Sequence, residues 1–234
     1  MPRKADELEF ETIPLSAIRR AIVERVVESH RSIPVFHMHA QADATALMAA
    51  REARKQPGST ATVPTYNDFV IKIVAGALLT HRRFNAWFDP EEGLKIARQV
   101  NVGFAVATEH GVLLPTVFDA DRKPVEAIAE ETRELAGLAR DGRLRASLQM
   151  GATFTISNVG PGAVDAFNAI ISPPQTGILA VGALAPRPVV VGDQIAVRHT
   201  LNLTLSVDHR AADGRDGAAF LATVKRGIEE WEQG

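Results

Sequence analysis

The stretch SVDHRAADG, residues 206–214, joins an apolar strand pattern at 201–207 to a helix pattern at 213–231. It places His209 at a strand-to-helix junction, where two rigid elements can aim a side chain into a cleft. Asp213 stands at the expected helix N-cap, where a carboxylate accepts hydrogen bonds from the first amides of the helix. A single histidine is more often a structural residue, but the density of charged groups in this stretch favours a functional site.

The rest of the chain mixes short strand patterns with helix patterns. Helices are predicted at 16–29, 45–55, 69–79 and 124–140, with Ser16 and Asn67 as N-caps, and strands at 35–43, 94–97, 100–107, 112–118, 153–157, 177–181, 188–191 and 195–197. Short turns between strands favour a mixed or largely antiparallel sheet with helices packed on it, not a doubly wound parallel sheet. We therefore expect an α/β fold of the α+β two-layer sandwich kind, with an arm at 1–12 and a single domain at 13–234.

The composition excludes several classes of protein. Of the 234 residues, 46% are hydrophobic and 23% are charged, and the formal net charge is −2. This balance predicts neither a nucleic acid nor an anionic membrane as a partner. The chain has no cysteine, which excludes disulfides, thiolate metal sites and a cysteine nucleophile. The charged start, MPRKADELEFET, lacks the apolar core of a signal peptide, so we expect a cytoplasmic location.

Four motifs carry a resemblance to a known family. The segment His209–Gly214 matches the HxxxDG motif of the chloramphenicol acetyltransferase-like superfamily. The longer SVDHRAADG resembles the catalytic core of dihydrolipoyl acyltransferases of 2-oxo acid dehydrogenase complexes. IPLSAIRRAIVERVVES (13–29), ATFTISNVG (152–160) and ISPPQTGILAVGA (171–183) resemble further segments of that core, in the same order. The resemblance covers about residues 12–232 and implies a chloramphenicol acetyltransferase-like fold.

The chemistry of acyl transfer between two thiols defines what such a site needs. A free thiol is mostly protonated at neutral pH, so the attacking thiol needs a base. The tetrahedral oxyanion then needs a hydrogen-bond donor. The resemblance implies that His209 is the base, that Ser157 is the donor, and that the two thiols react directly in a ternary complex. Thr155, on the same strand face as Ser157, is the alternative donor.

Two further features concern a salt bridge to Asp213 and a possible metal site. The resemblance implies that Asp213 is structural and pairs with an arginine, for which Arg19 and Arg20 are both open. His37 and His39 lie two residues apart on one strand face and could form a metal pair. No Asp or Glu adjoins them locally, so no metal site is expected.

The resemblance also implies substrates and partners. We expect an acyl group to move between coenzyme A and a dihydrolipoyl group, one of which is the donor and the other the acceptor. None of the six lysines follows an aspartate, the context in which the family carries its lipoyl group. We therefore expect the lipoyl group on a separate carrier domain or protein, either because the chain is an excised domain or because it stands alone; the start MPRKADELEFE favours the second.

The assembly expected from the resemblance is a homotrimer, or a multiple of trimers, with each active site between two subunits. Components of a 2-oxo acid dehydrogenase-type complex are possible further partners. Two alternatives remain open: an oligomeric scaffold core of such a complex, or a coenzyme A-dependent acyltransferase that acts on a small-molecule acceptor.

Overall fold

A computed structural model describes residues 8–55, 61–160 and 162–231. The described residues form five α-helices: α1 (Ala17–Ser32), α2 (Thr45–Ala53), α3 (Tyr66–Thr80), α4 (Val125–Arg140) and α5 (Gly214–Glu229). They also form eleven strands: β1 (Val35–Asp43), β2 (Ala86–Asp89), β3 (Gly93–Ile96), β4 (Val102–Phe104), β5 (Val106–Thr108), β6 (Gly111–Leu113), β7 (Thr116–Val117), β8 (Phe154–Asn158), β9 (Gly177–Val181), β10 (Ala185–Val191) and β11 (Gln194–Asp208).

The main sheet has the strand order β1-β11-β9-β8-β4-β7, and β10 pairs with the first part of β11. Strand β8 is parallel to both of its neighbours, whereas the other pairs in this sheet are antiparallel. Strands β2–β3 and β5–β6 form two separate hairpins. The predicted mixed sheet is therefore confirmed.

Helices α2 to α5 cover one face of this sheet and enclose the main core with it. Strand alternation selects the residues that face the helices. On β1, Ala42 is fully buried, and Phe36, Met38 and Ala40 pack against the core. Helix α5 approaches β1 closely because it has Gly217 there: a Cβ at this position would lie 2.7 Å from the Met38 sulfur. This packing fixes the start of α5 against the end of the sheet.

Several predicted boundaries are confirmed, but the predicted N-cap of α3 is wrong. The Ser16 side chain accepts a 3.1 Å hydrogen bond from the Arg19 amide and caps α1 as expected. Helix α3 starts earlier than predicted, because Thr65 rather than Asn67 is its N-cap. The Asp68 side chain accepts from the Thr65 amide at 2.7 Å, which completes a capping box.

The strand predictions differ from the structure in several places. The strands predicted at 195–197 and 201–207 are one strand, because Arg198 and Thr200 continue the ladder with β10. The strand predicted at 100–107 is divided into β4 and β5, and the strand predicted at 112–118 is divided into β6 and β7. In each case the two parts belong to different sheets. Strand β2 was not predicted, although its equally short partner β3 was.

The segment before α1 is irregular and exposed from residue 8 to residue 16, and residues 1–7 of the predicted arm lie outside the described part of the chain. The boundary between an arm and a domain at residue 13 stays a prediction. Within the described residues, no helix combines the length and the apolar character that crossing a membrane requires.

Candidate active site

His209 follows the last residue of β11 and has an exposed side chain. Its backbone amide donates a 3.0 Å hydrogen bond to the Pro34 carbonyl, so the pairing of β11 with β1 continues into the histidine. The imidazole lies against the Phe36 ring, with 4.7 Å between the ring centroids and an interplanar angle of 49°. The His209 side chain is therefore exposed, and the backbone that carries it is held by the sheet, as its place in the sequence predicts.

The residues on either side of His209 are bonded to each other. The Asp208 side chain is fully buried, and its carboxylate accepts hydrogen bonds from Arg210 Nε at 2.9 Å and Arg210 Nη2 at 2.7 Å. The Arg210 amide also donates to Asp208 Oδ1 at 3.0 Å. The Arg210 guanidinium carbon lies 4.2 Å from the centroid of the Phe88 ring. These contacts close the turn that carries the histidine.

Asp213 caps α5, as predicted. Its Oδ1 accepts from the Arg215 amide at 2.8 Å and from the Asp216 amide at 3.0 Å, and the Asp216 side chain accepts from the Asp213 amide at 3.3 Å. The hydrogen bond from the Asp216 amide is the main reason why the pKa of Asp213 is lower than usual. Desolvation is the next largest effect and opposes this shift, whereas the Arg215 amide and the charges of Arg215 and Arg83 add to it.

Within the described residues, neither Arg19 nor Arg20 is the arginine partner of Asp213. Arg20 donates through Nη1 to the Leu15 carbonyl at 2.7 Å, and the Arg19 guanidinium lies beside Gly111. Among the described residues, no salt bridge joins Asp213 to either arginine. The physical reason is that α1 packs on the β5–β6 hairpin, away from the start of α5.

We expect Asp213→Ala to lower the melting temperature by about 2–4 °C, the size of shift that loss of a helix cap causes in a domain of this length. Asp213→Asn should lower it less, because the amide oxygen still accepts from the Arg215 and Asp216 amides. A thermal melt measures both variants. An asparagine variant that is less stable than the alanine variant would contradict the capping role.

The pH dependence of the Asp213→Asn effect has a definite sign. The pKa of Asp213 is lower in the folded chain than in the unfolded chain, so its ionised form stabilises the fold above the ordinary pKa of an aspartate. This stabilisation is lost as the pH falls through the lowered pKa. The difference in melting temperature between the wild type and Asp213→Asn should therefore be present at neutral pH and disappear in acid.

Ser157 lies on the wall of a cleft of about 620 Å³ that extends between α1, the β5–β6 hairpin and the segment 167–172. The cleft is lined mainly by apolar side chains. Among the described residues no group hydrogen-bonds the Ser157 hydroxyl, so it can donate to a bound molecule. Gly111 brings the hairpin close to α1: its φ is +134°, and a Cβ there would lie 2.6 Å from Ile22 Cδ1.

Thr155 cannot offer its hydroxyl in the same way. Its side chain is fully buried, and Oγ1 donates a 2.7 Å hydrogen bond to the Gln175 side-chain oxygen. A hydroxyl group has one hydrogen to donate, and this one is already used. The structure therefore favours Ser157 over Thr155 as the free donor.

One chain does not bring Ser157 and His209 together. Ser157 pairs with Ala180, which pairs with Thr204 on β11. Two strand spacings of about 4.8 Å and five residues of about 3.4 Å each then place the Cα atoms of Ser157 and His209 about 20 Å apart. The two side chains also belong to different faces, because His209 contacts Phe36 on the helix-covered face and Ser157 faces the cleft.

Comparison with known proteins decides the family. The model described as 2-oxoacid dehydrogenases acyltransferase (catalytic domain) matches residues 7–234. The chain belongs to this family. A relative from Rickettsia felis, the dihydrolipoyllysine-residue acetyltransferase component of pyruvate dehydrogenase complex, is 37% identical over 223 residues, which cover 94% of this chain and 54% of the relative. This acyltransferase-family chain therefore spans about half the length of the curated relatives it matches.

Two solved structures resemble this acyltransferase-family chain along its whole length. The dihydrolipoamide acetyltransferase of Azotobacter vinelandii has a TM-score of 0.91 and 30% identity, covering 99% of this chain and 97% of the other. It was solved to investigate the role of a serine, a histidine and an asparagine in the catalytic mechanism; the histidine follows the serine by 52 residues and precedes the asparagine by four. The cubic core of a pyruvate dehydrogenase multienzyme complex has a TM-score of 0.90 and 30% identity, covering 99% and 97%.

The fold expected from the HxxxDG motif is confirmed as well. A chloramphenicol acetyltransferase, which is only 12% identical, superposes with a TM-score of 0.55 over 88% of this chain and 94% of the other. The resemblance to the dihydrolipoyl acyltransferase cores, inferred from four sequence motifs, is confirmed by the family match.

His37 and His39 have a structural role in this acyltransferase-family chain. Their Nδ1 atoms lie 3.0 Å from Ser206 Oγ and 2.9 Å from Thr204 Oγ1, so each imidazole bridges β1 and β11. Burial, together with the nearby charge of His39, lowers the pKa of His37. Within 8–55, 61–160 and 162–231, no three histidine or acidic side chains converge as a metal site needs.

Sequence reasoning missed two arginines that hold the His209 turn. Arg83 donates through Nη1 to the Ala211 carbonyl at 3.0 Å, and its Nε lies 3.6 Å from Asp216 Oδ2. Arg83 is 126 residues away from His209 in sequence, and nothing local identifies it. Arg210 did have a signal, since it and Asp208 are opposite charges directly flanking the histidine.

Proposed function

We propose that this chain transfers an acyl group between coenzyme A and the thiol of a dihydrolipoyl group. The observation that carries the proposal is the spacing of three residues. His209 follows Ser157 by 52 residues and precedes Asp213 by four, the same spacing as the histidine, serine and asparagine of the Azotobacter vinelandii enzyme. Asp213 departs from that asparagine, but both residue types cap a helix N-terminus well.

In the proposed reaction, the His209 imidazole removes the proton from the attacking thiol. The thiolate adds to the carbonyl carbon of the thioester, and the Ser157 hydroxyl donates a hydrogen bond to the oxyanion that forms. When the tetrahedral intermediate collapses, the carbon–sulfur bond to the other thiol breaks, and the leaving thiolate takes the proton from the imidazolium. Asp213 holds the start of α5 and takes no proton.

The separation of Ser157 and His209 supports a site that two chains share. At about 20 Å, the base and the oxyanion donor of one chain cannot act on the same carbonyl group. We propose a homotrimer in which His209 of one subunit lies next to Ser157 of another. Strand β1 is at an edge of the sheet, and a closed ring of subunits is one way to cover such an edge.

Subunit complementation tests the shared site. Chains with His209→Ala and chains with Ser157→Ala should each be nearly inactive alone. After they are unfolded together and refolded as a mixture, we expect part of the activity to return, because some interfaces then combine an intact His209 with an intact Ser157. The control is each variant refolded by itself. A mixed assembly that gains no activity, or a fully active monomer, would contradict a shared site.

The partners follow from the same proposal. The lipoyl group arrives on a separate carrier domain or protein, and the trimers associate with components of a 2-oxo acid dehydrogenase-type complex. The relative that forms a cubic core supports a larger assembly of trimers. The cytoplasmic location expected from the sequence stays a prediction.

An exchange assay tests the activity itself. The purified chain should convert acetyl-CoA and free dihydrolipoamide into coenzyme A and acetyl-dihydrolipoamide, with both thioesters measured by chromatography. An intact assembly with no turnover would favour the scaffold alternative. Release of coenzyme A only with a small amine or alcohol acceptor, and none with dihydrolipoamide, would favour the small-molecule alternative.

A further inference from the structure

We propose that Arg210 is a positioning residue for His209, acting through the buried carboxylate of Asp208 and the ring of Phe88. The inference rests on the proposed function, because it assigns a role to Arg210 in aligning the general base. The HxxxDG motif assigns no such role. Asp208 lies just before the motif, and Arg210 occupies one of its three open positions.

The first support is that hydrogen bonds join the residues on either side of His209. Arg210 makes four hydrogen bonds to the Asp208 carboxylate, through its amide, Nη2 and an Nε that donates to both oxygens. The Ala211 and Ala212 amides also donate to the Asp208 carbonyl, at 3.0 and 3.2 Å. The backbone on both sides of His209 is therefore held by the same residue, which fixes the direction in which the His209 side chain leaves the backbone.

The second support is the burial of the carboxylate. The Asp208 side chain is fully buried, whereas the Arg210 side chain is 30% exposed. A buried carboxylate is costly unless a cation and hydrogen bonds compensate it. Arg210 supplies both in one planar group, so the turn has one favoured conformation, in which the guanidinium covers Asp208.

The third support is the surface under the guanidinium. The Phe88 ring lies 4.2 Å from the guanidinium carbon, and its own backbone amide is held by a 2.8 Å hydrogen bond to the Pro174 carbonyl. A planar guanidinium stacks on an aromatic ring and binds a carboxylate with two nitrogens at once. A lysine ammonium keeps the charge but can do neither, so Arg210→Lys separates geometry from charge.

The chain offers a matched control in Arg54. It combines the same two contacts, a 2.8 Å bond from Nε to Glu126 and a position over a phenylalanine ring, with 5.5 Å from its guanidinium carbon to the Phe69 centroid. It lies at the end of α2, within the helix layer and outside the turn that carries His209. The Glu126 side chain is 51% exposed, so Arg54→Lys should lower the stability less than Arg210→Lys does, and it should leave the chemistry unchanged.

The experiment measures kcat, KM and melting temperature for both lysine variants with acetyl-CoA and dihydrolipoamide. We expect Arg210→Lys to lower kcat about 10- to 100-fold, the effect of displacing a catalytic group by a fraction of an ångström to an ångström. The KM values should stay within about twofold, and Arg54→Lys should keep kcat within about twofold. The pH at which kcat is half-maximal should not move in Arg210→Lys, because the base is the same group at a poorer position.

Phe88→Leu keeps the ion pair and removes the ring, so it decides the question if Arg210→Lys folds poorly. It should lower kcat in the same direction with KM unchanged. The inference is overturned if His209→Ala is inactive while Arg210→Lys or Phe88→Leu turns over at the wild-type rate. It is also overturned if Arg210→Lys and Arg54→Lys lose kcat equally. A fully active His209→Ala would instead overturn the proposed function.

Discussion

Replacing His209 with alanine should lower the rate of acyl transfer at least about a hundredfold, the usual scale for the loss of a general base. The physical reason is that the attacking thiol would have to lose its proton to water. The fold should survive, because the imidazole is exposed and the hydrogen bond from residue 209 to the Pro34 carbonyl uses the backbone amide. The measurement is kcat in the exchange assay together with a thermal melt.

A matched control for this variant is His199→Ala. His199 is another exposed histidine, on β11 itself, and it lies ten residues before His209. We expect it to keep nearly normal turnover. A His209→Ala variant that also turns over at the normal rate, at wild-type stability, would remove His209 from the mechanism.

Replacing Ser157 with alanine should lower kcat about 10²- to 10³-fold, the effect of removing one oxyanion donor. KM should change little, because the hydrogen bond strengthens only when negative charge develops on the carbonyl oxygen. Among the described residues the Ser157 hydroxyl has no partner, so its loss leaves no unpaired buried group and should not destabilise the fold. Steady-state kinetics with each substrate varied in turn measures both constants.

Thr155→Val is the comparison for the serine variant. It removes the hydroxyl that donates to the Gln175 side chain and leaves Ser157 in place. We expect a loss of stability and a smaller loss of kcat than in Ser157→Ala. The opposite order, with the larger loss of kcat at Thr155, would move the oxyanion donor to that residue.

The sequence predicts the elements well where one face of a strand or helix is buried. Strand β1 has its predicted bounds, because the alternation of apolar and polar residues from Val35 to Asp43 matches its half-buried position. The division of β11 was wrong because Arg198 and Thr200 interrupt the apolar pattern where the strand projects from the core. Residues 194–199 of this part are mostly exposed, and the ladder with β10 holds them in the strand.

The candidate site was predictable where its signal is local. His209 and Asp213 stand four residues apart in one motif, and the helix that Asp213 caps is evident from periodicity. Ser157 has no such signal and depended on the family resemblance. Arg83 and Phe88 were beyond reach, because their contacts with residues 210 and 211 exist only after the chain has folded over more than a hundred residues.

The distance of about 20 Å between Ser157 and His209 has a consequence for how the activity depends on concentration. With these residues in their proposed roles, a single chain carries two halves of different sites and completes neither. Specific activity then falls on dilution wherever subunits separate. At low abundance, the total activity would rise more steeply than in proportion to the amount of protein, because assembly itself depends on concentration.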